Sequence, residues 1–190
     1  PSVGIERYQI WQETYAGSVW KAIQLESRDL LTIGPWAWLA SLLSAAVWVG
    51  ILTGRSLLVR ILGYLAGVLS FLLVYPLLDS LMWKLHLVEI RTSLSLGFFR
   101  YFVEAGILEG LTRLAPLLIW WWAGQLKRPQ DWVLFACLSA LGFSTFESLG
   151  YNDWHWGASL GRFVMGPPGH LALTAATAYT LARSRRTRPW

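Results

Sequence analysis

Residues Glu104-Ala-Gly-Ile-Leu-Glu109-Gly-Leu-Thr-Arg113 set two carboxylates inside a run that otherwise reads as membrane-grade helix. Upstream stands Leu96-Gly-Phe-Phe-Arg100-Tyr-Phe-Val103, and downstream Leu114-Ala-Pro-Leu-Leu-Ile-Trp-Trp-Trp-Ala-Gly124. An ionisable side chain at bilayer depth costs roughly 2.5–3.5 kcal/mol on insertion scales, so such groups face a protein interior or a wet cavity. A chain that keeps Glu109 at that depth is expected to use it.

Composition fixes the class around that stretch. The chain of 190 residues is 55% hydrophobic and 14% charged, whereas an ordinary soluble domain is about 25% charged. Thirteen tryptophans supply the amphipathic rings that favour bilayer interfaces. The expected fold is all-α: a polytopic transmembrane helical bundle in the lipid bilayer, with amphipathic interfacial segments. The single Cys137 forbids an internal disulfide and leaves the redox compartment open. The chain opens on Pro1 rather than Met, as a trimmed or processed protein does.

About five spans are expected: 36–53, 56–78, 96–126, 131–149 and 161–182, the first two joined by a tight Gly54-Arg55 turn. Basic residues cluster at Arg55 and Arg60, at Lys127 and Arg128, and at Arg183, Arg185, Arg186 and Arg188. With alternating spans all three clusters fall on one side, and the excess of Lys and Arg makes that side cytoplasmic, the C-terminus included. Nucleic-acid binding would need a larger basic surface with exposed aromatics, and is not expected. The domain division is then 1–34 as an amphipathic N-terminal segment, 35–182 as the transmembrane domain with its motif-bearing core at 96–182, and 183–190 as a basic tail. Residues 79–95 read as a second interfacial segment, and Tyr151-Asn-Asp-Trp-His-Trp156 as an aromatic-belt loop.

The chemistry-bearing residues lie on the last three spans. Glu109 and Arg113 are four apart and share a helix face, as do Arg100 and Glu104. The plain structural reading is a pair of intrahelical ion pairs that lower the cost of burial. In the next span, Phe143-Ser-Thr-Phe-Glu147-Ser-Leu-Gly-Tyr151 carries a second deep carboxylate. In the last, Pro167-Pro-Gly-His170-Leu-Ala-Leu-Thr174 puts an imidazole after a proline pair, and proline in a first turn implies that the regular helix begins near Pro168. Glu109, Glu147 and His170 then fall at one depth, between mid-bilayer and the non-cytoplasmic side. Two carboxylates and an imidazole suit a divalent metal such as zinc; they equally suit a water held and deprotonated without one.

These three segments, in this order and spacing, resemble the motifs of the PrsW family of intramembrane proteases, within the wider group of CAAX-type and Abi membrane proteases. The family pattern is Glu-Glu-x-x-Lys, then Phe-x-x-x-Glu-Asn-x-x-Tyr, then a His-x-x-x-Thr-like motif. Phe143, Glu147 and Tyr151 match the second with Ser148 for Asn, and His170 and Thr174 match the third, with Arg162 upstream. Glu109 and Arg113 match the first, with Arg113 in place of Lys and Gly110 in place of the second glutamate. The resemblance implies an intramembrane endopeptidase of a bacterial inner membrane, acting on transmembrane or membrane-proximal protein substrates. It implies Glu109 as general base, His170 as orienting group or metal ligand, Glu147 as second ligand or proton acceptor, and Arg113 as stabiliser of negative charge. Phe143, Tyr151, Thr174 and Arg162 would support them.

Gly110 removes a carboxylate beside the expected base, which keeps a second class of function open. In that reading the chain is a catalytically inactive relative, serving as a scaffold or subunit of a larger membrane complex; the scaffold subunit of gamma-secretase, thought to share this wider ancestry, is a precedent. A transporter or proton relay also uses buried Glu and His, but the chain lacks the paired broken half-helices of transporters.

Overall fold

A computed structural model describes residues 18, 20, 21, 23, 24, 34–84, 106–124, 126–150 and 156–186, with the side chains at 36, 83, 150, 156–165, 185 and 186 excepted. Among the described residues every regular element is helical. The elements are α1 (Pro35–Ile51), α2 (Leu57–Leu69), a π-helical turn (Ser70–Val74), α3 (Tyr75–Lys84), α4 (Glu109–Trp122), α5 (Pro129–Gly150) and α6 (Trp156–Arg186).

Local chemistry sets their ends. Pro35 opens α1, where its missing N–H costs nothing. Gly54 turns the chain at φ 110°, a conformation that side chains with a Cβ resist, so the expected tight turn forms there. Arg60 then donates Nη1 to the carbonyls of Val49 (2.6 Å) and Leu52 (3.2 Å), satisfying orphan acceptors at the end of α1. Gly124, at φ 70°, ends α4 in the left-handed conformation. Arg55 donates to Asp131 Oδ1 at 2.7 Å, and Asp131 Oδ2 accepts from the Arg128 backbone N–H at 3.0 Å, which ties the α1–α2 turn to the start of α5.

α5 is the centre. Leu138, Ala140, Leu141, Phe143 and Ser144 on it have no exposed surface, and α1, α2, α4 and α6 all pack against it. The tightest approach is that of α2. A Cβ built on Gly67 would stand 2.1 Å from the Ser139 carbonyl oxygen, and one on Gly142 2.1 Å from that of Tyr64. Only glycine lets these two backbones meet, and Gly63 extends the seam by one turn in the small-xxx-small pattern of membrane helix pairs. The opposite face of α2 exposes Leu58 (66%), Leu62 (44%), Leu65 (45%) and Leu69 (56%), a leucine stripe suited to hydrocarbon rather than water.

Two helices are long and apolar enough to cross a membrane, Leu57–Met82 and Pro129–Leu149; α1 contributes a shorter apolar helix, Ala37–Ile51. Three boundaries differ from the sequence reading. The second helix does not stop at Leu78 but runs on through α3 to Lys84, because Asp79 and Ser80 are buried against the bundle instead of opening an interfacial segment. α4 ends at Trp122, four residues short of Leu126. α6 does not begin near Pro168: it starts at Trp156 and carries Pro167 and Pro168 inside it. The expected N-terminal amphipathic segment (apart from five residues in 18–24), the Arg100–Glu104 pair and the Tyr151–His155 stretch lie outside the described residues.

A proline inside α4 explains one of the bonds between helices. Pro116 lacks the N–H that would bond the Thr112 carbonyl, and Ser70 Oγ from the π turn donates to that carbonyl instead, at 2.5 Å. Ser139 Oγ donates to the Arg113 carbonyl at 2.7 Å and Ser41 Oγ to that of Thr145 at 3.0 Å. Where lipid offers no hydrogen bonds, the Ser70 bond matters to the carbonyl that Pro116 frees, and the other two tie neighbouring helices to α4 and α5. We predict that Gly67→Ala lowers unfolding free energy in micelles by roughly 1–3 kcal/mol through overpacking. Gly50→Ala, whose Cβ meets nothing within 4 Å, is expected to be neutral or slightly stabilising.

Candidate active site

The first turn of α4, the last turns of α5 and the middle of α6 converge on one spot. At about 1.5 Å per residue, Glu147 stands roughly 27 Å along α5 from Pro129, His170 roughly 24 Å back from Arg186, and Glu109 roughly 20 Å back from Trp122. Antiparallel neighbours with those offsets share a level, far from the end of the bundle that bears Arg55 and Arg128. One ligand-capable atom from each of Glu109, Glu147 and His170 lies within 4.8 Å of the others.

The connections within the cluster are specific. His170 Nε2 is 2.9 Å from Glu147 Oε2. The Arg113 guanidinium bonds His170 Nδ1 through Nη1, lies 3.7 Å from Glu109 Oε2 through Nη2, and donates through Nε to the Glu109 carbonyl at 3.1 Å. Guanidinium has donors only, so Nδ1 accepts, and the proton of the neutral imidazole resides on Nε2, facing Glu147. Arg113, His170 and Glu147 thus form a hydrogen-bond chain in which Arg113 donates to His170 and His170 to Glu147, running from α4 through α6 to α5. Among the described residues, the side chains of Glu109, Glu147 and His170 remain 16%, 15% and 19% exposed, while that of Arg113 is 6% exposed.

Phe143 forms the floor. It has no exposed surface; the Arg113 guanidinium carbon lies 5.5 Å from its ring centroid, and its centroid is 5.9 Å from that of His170. Phe71 and Tyr75 pack their rings edge-on against it, centroids 5.3 and 6.0 Å away, which fixes the floor from the side of the π turn and α3. Two backbone features position the rest. A π-helical stretch at 106–108 leads into Glu109, and a wider turn at that point rotates the side chains that follow it. Pro167 and Pro168 leave the carbonyls of residues 163 and 164 without their helical donors, one to two turns before His170.

The structure therefore brings Glu109, Arg113, Phe143, Glu147 and His170 together. Thr174 is buried, one turn after His170 on the same face of α6. Tyr151 lies outside the described residues, as does the side chain of Arg162. The sequence reading missed Ser70, Ser139 and the glycine seam; Pro116 in a span was the available signal, since it advertises a carbonyl in need of a donor. Gly110 follows Glu109 on α4, and a Cβ there would meet nothing within 4 Å.

A helical bundle with lipid-suited faces and a partly buried Glu-Glu-His cluster defines a class: membrane-embedded proteins with a site fit for a metal. The profile of the PrsW family intramembrane metalloprotease matches residues 34–190, most of the chain, and the chain belongs to that family. The resemblance read from the three motifs is thereby borne out, and with it the membrane setting and the peptidase class. No curated protein and no solved structure matches the chain.

The open space at Gly110 yields a prediction. Gly110→Glu should fold with a thermal midpoint no lower than that of the parent, since Glu replaces a poor helix former where a Cβ meets nothing within 4 Å. Thermal unfolding in detergent, followed by circular dichroism, checks it. By contrast Phe143→Ala should cost roughly 3–5 kcal/mol, because it empties a fully buried floor.

Proposed function

We propose that the protein hydrolyses peptide bonds in membrane-embedded or membrane-proximal protein substrates, using a water activated by Glu109. The observation that carries this reading is the meeting of Glu109, Glu147 and His170, from three helices, within 4.8 Å. Glu109 is the general base: its carboxylate takes a proton from water as the oxygen adds to the scissile carbonyl carbon, and returns it to the leaving nitrogen as the C–N bond breaks. Arg113, 3.7 Å from Glu109, is placed to stabilise the negative charge that develops on the carbonyl oxygen. Glu147 accepts from His170 and fixes the plane of the imidazole. Phe143 holds Arg113 and His170 from below and keeps water from the inner side.

The donor set fits the metal that the family description implies. Two carboxylates and one imidazole match a three-ligand catalytic zinc site: one oxygen each of Glu109 and Glu147 and a ring nitrogen of His170 would hold the ion, leaving the second Glu109 oxygen as the base. When bound, such an ion supplies Lewis acidity toward water and the scissile carbonyl. One internal competitor opposes it. Arg113 occupies the lone pair of His170 Nδ1 and commits the ring proton to Nε2, so ligation by either nitrogen requires the Arg113–His170 bond to break. Arg113 also places a fixed positive charge beside two carboxylates, leaving a formal charge of −1 with His170 neutral.

In the bilayer we read five crossings, formed by α1, by α2 with α3, by the helix containing α4, by α5 and by α6. The end bearing Arg55, Arg128 and Arg183 faces the cytoplasm of a bacterial inner membrane. The second reading, an inactive scaffold in a membrane complex, is favoured by Gly110, which leaves the site one carboxylate short of the family motif.

Hydrolysis of a quenched membrane-peptide substrate separates the two readings. Glu109→Gln and His170→Ala should each lose activity by at least about a hundredfold while retaining helical content. No hydrolysis by the parent protein, with or without added zinc, would favour the scaffold. A second expectation concerns affinity alone. Arg113→Met should tighten zinc binding by at least roughly tenfold, because it removes a unit charge a few ångströms from the ion. Titration against a chelating indicator measures this, and unchanged or weaker binding contradicts the competition argued above.

A further inference from the structure

The end of the bundle remote from the carboxylate cluster holds a cavity of about 520 Å³, between the C-terminal end of α1, the first turns of α5, and α6. Its volume is that of a ligand site, such sites spanning roughly 300–1,000 Å³. The wall is apolar, with Ile51 and Leu52 from α1, Val133 and Leu134 from α5, and Tyr179 from α6. Arg128 stands at its rim with its side chain 67% exposed.

The charge at that rim is one-sided. Arg128 lines the cavity, the exposed Arg183 follows Tyr179 by one turn on the same face of α6, and Arg55 is tied to the same end of the bundle through Asp131. Asp131 answers with one carboxylate, which Arg55 already holds at 2.7 Å and Arg128 approaches only to 3.9 Å. An apolar slot beneath an excess of guanidinium groups, in a protein that lives in lipid, matches an amphiphile with an anionic head. A zwitterionic lipid brings its own ammonium to the same rim and gains less.

We propose that this cavity is a binding site for an anionic phospholipid, with one acyl chain along Ile51, Leu134 and Tyr179 and the phosphate at Arg128. Basic pockets between membrane helices take such headgroups, each Lys or Arg contributing about 1 kcal/mol near the surface. The site lies at the opposite end of α5 from Glu147, so the lipid stabilises the junction of α1, α5 and α6 independently of any hydrolysis.

The test is lipid retention by the purified full chain. The protein is equilibrated in detergent with equal amounts of dioleoyl phosphatidylglycerol and dioleoyl phosphatidylcholine, washed, and its retained lipid quantified by mass spectrometry. Phosphatidylglycerol should exceed phosphatidylcholine by at least about fivefold, the factor that 1 kcal/mol represents. Arg128→Gln should remove most of that preference. Ile51→Trp, at a position 59% exposed and so tolerant of size, should lower retention by narrowing the slot. Lys84→Gln, at the other end of the α2–α3 helix, should change nothing. Equal retention of the two lipids, an unaltered preference in Arg128→Gln, or full displacement by inorganic phosphate at the same concentration would each overturn the proposal.

Discussion

Arg113 is the group on which the rest of the site depends. A guanidinium in a membrane bundle must find acceptors within the protein, and this one finds them on two helices: the carboxylate and carbonyl of Glu109 on α4, and Nδ1 of His170 on α6. Its own carbonyl accepts from Ser139 on α5. Three helices are therefore linked through one residue, and Phe143 closes the space beneath it. Those links bring Glu109, Glu147 and His170 to one level, and they give His170 a defined tautomer. The cation that organises the cluster also lowers its negative charge, so the site balances assembly against metal affinity.

The second constraint is the backbone contact between α2 and α5. Gly67 and Gly142 let the two helices approach until a Cβ would overlap a carbonyl oxygen. That approach carries the π turn at Ser70 to the Thr112 carbonyl that Pro116 leaves open. Thr112 and Arg113 are adjacent on α4, so the π turn and α5 both bond the segment of α4 that bears the site. Small residues and helix-breaking prolines, costly in an isolated helix, act here as matched parts: one removes a donor, and the other lets a neighbouring hydroxyl arrive.

Much of the site was legible in the sequence. Each of Glu109, Glu147 and His170 sits in a run too apolar to hide an idle charge, and their order along the chain agrees with family membership. The turn at Gly54-Arg55 was legible for a similar reason, since a short polar break between two apolar runs has few conformations open to it. The boundaries were harder. Asp79 and Ser80 read as the end of a span because they are polar, yet tertiary packing buries them and the helix continues to Lys84. Pro167 and Pro168 read as a helix start because proline favours first turns, yet α6 tolerates both in its interior. The Gly63, Gly67 and Gly142 seam needs two helices to be seen at once, and no single-helix pattern could register it. Nor could spacing show that Arg113 turns to His170 as well as to Glu109, because that bond joins residues on different helices.

The central claim is that α4, α5 and α6 each supply one ligand to a common centre. X-ray absorption at the zinc edge of the zinc-loaded protein tests it most directly. The account predicts a light-atom shell with the multiple-scattering signature of one imidazole, which disappears in His170→Ala. It also predicts a lower count of light-atom neighbours, or no bound zinc, in Glu109→Gln and Glu147→Gln. A spectrum without imidazole scattering in the parent protein, or one unchanged by His170→Ala, would contradict it.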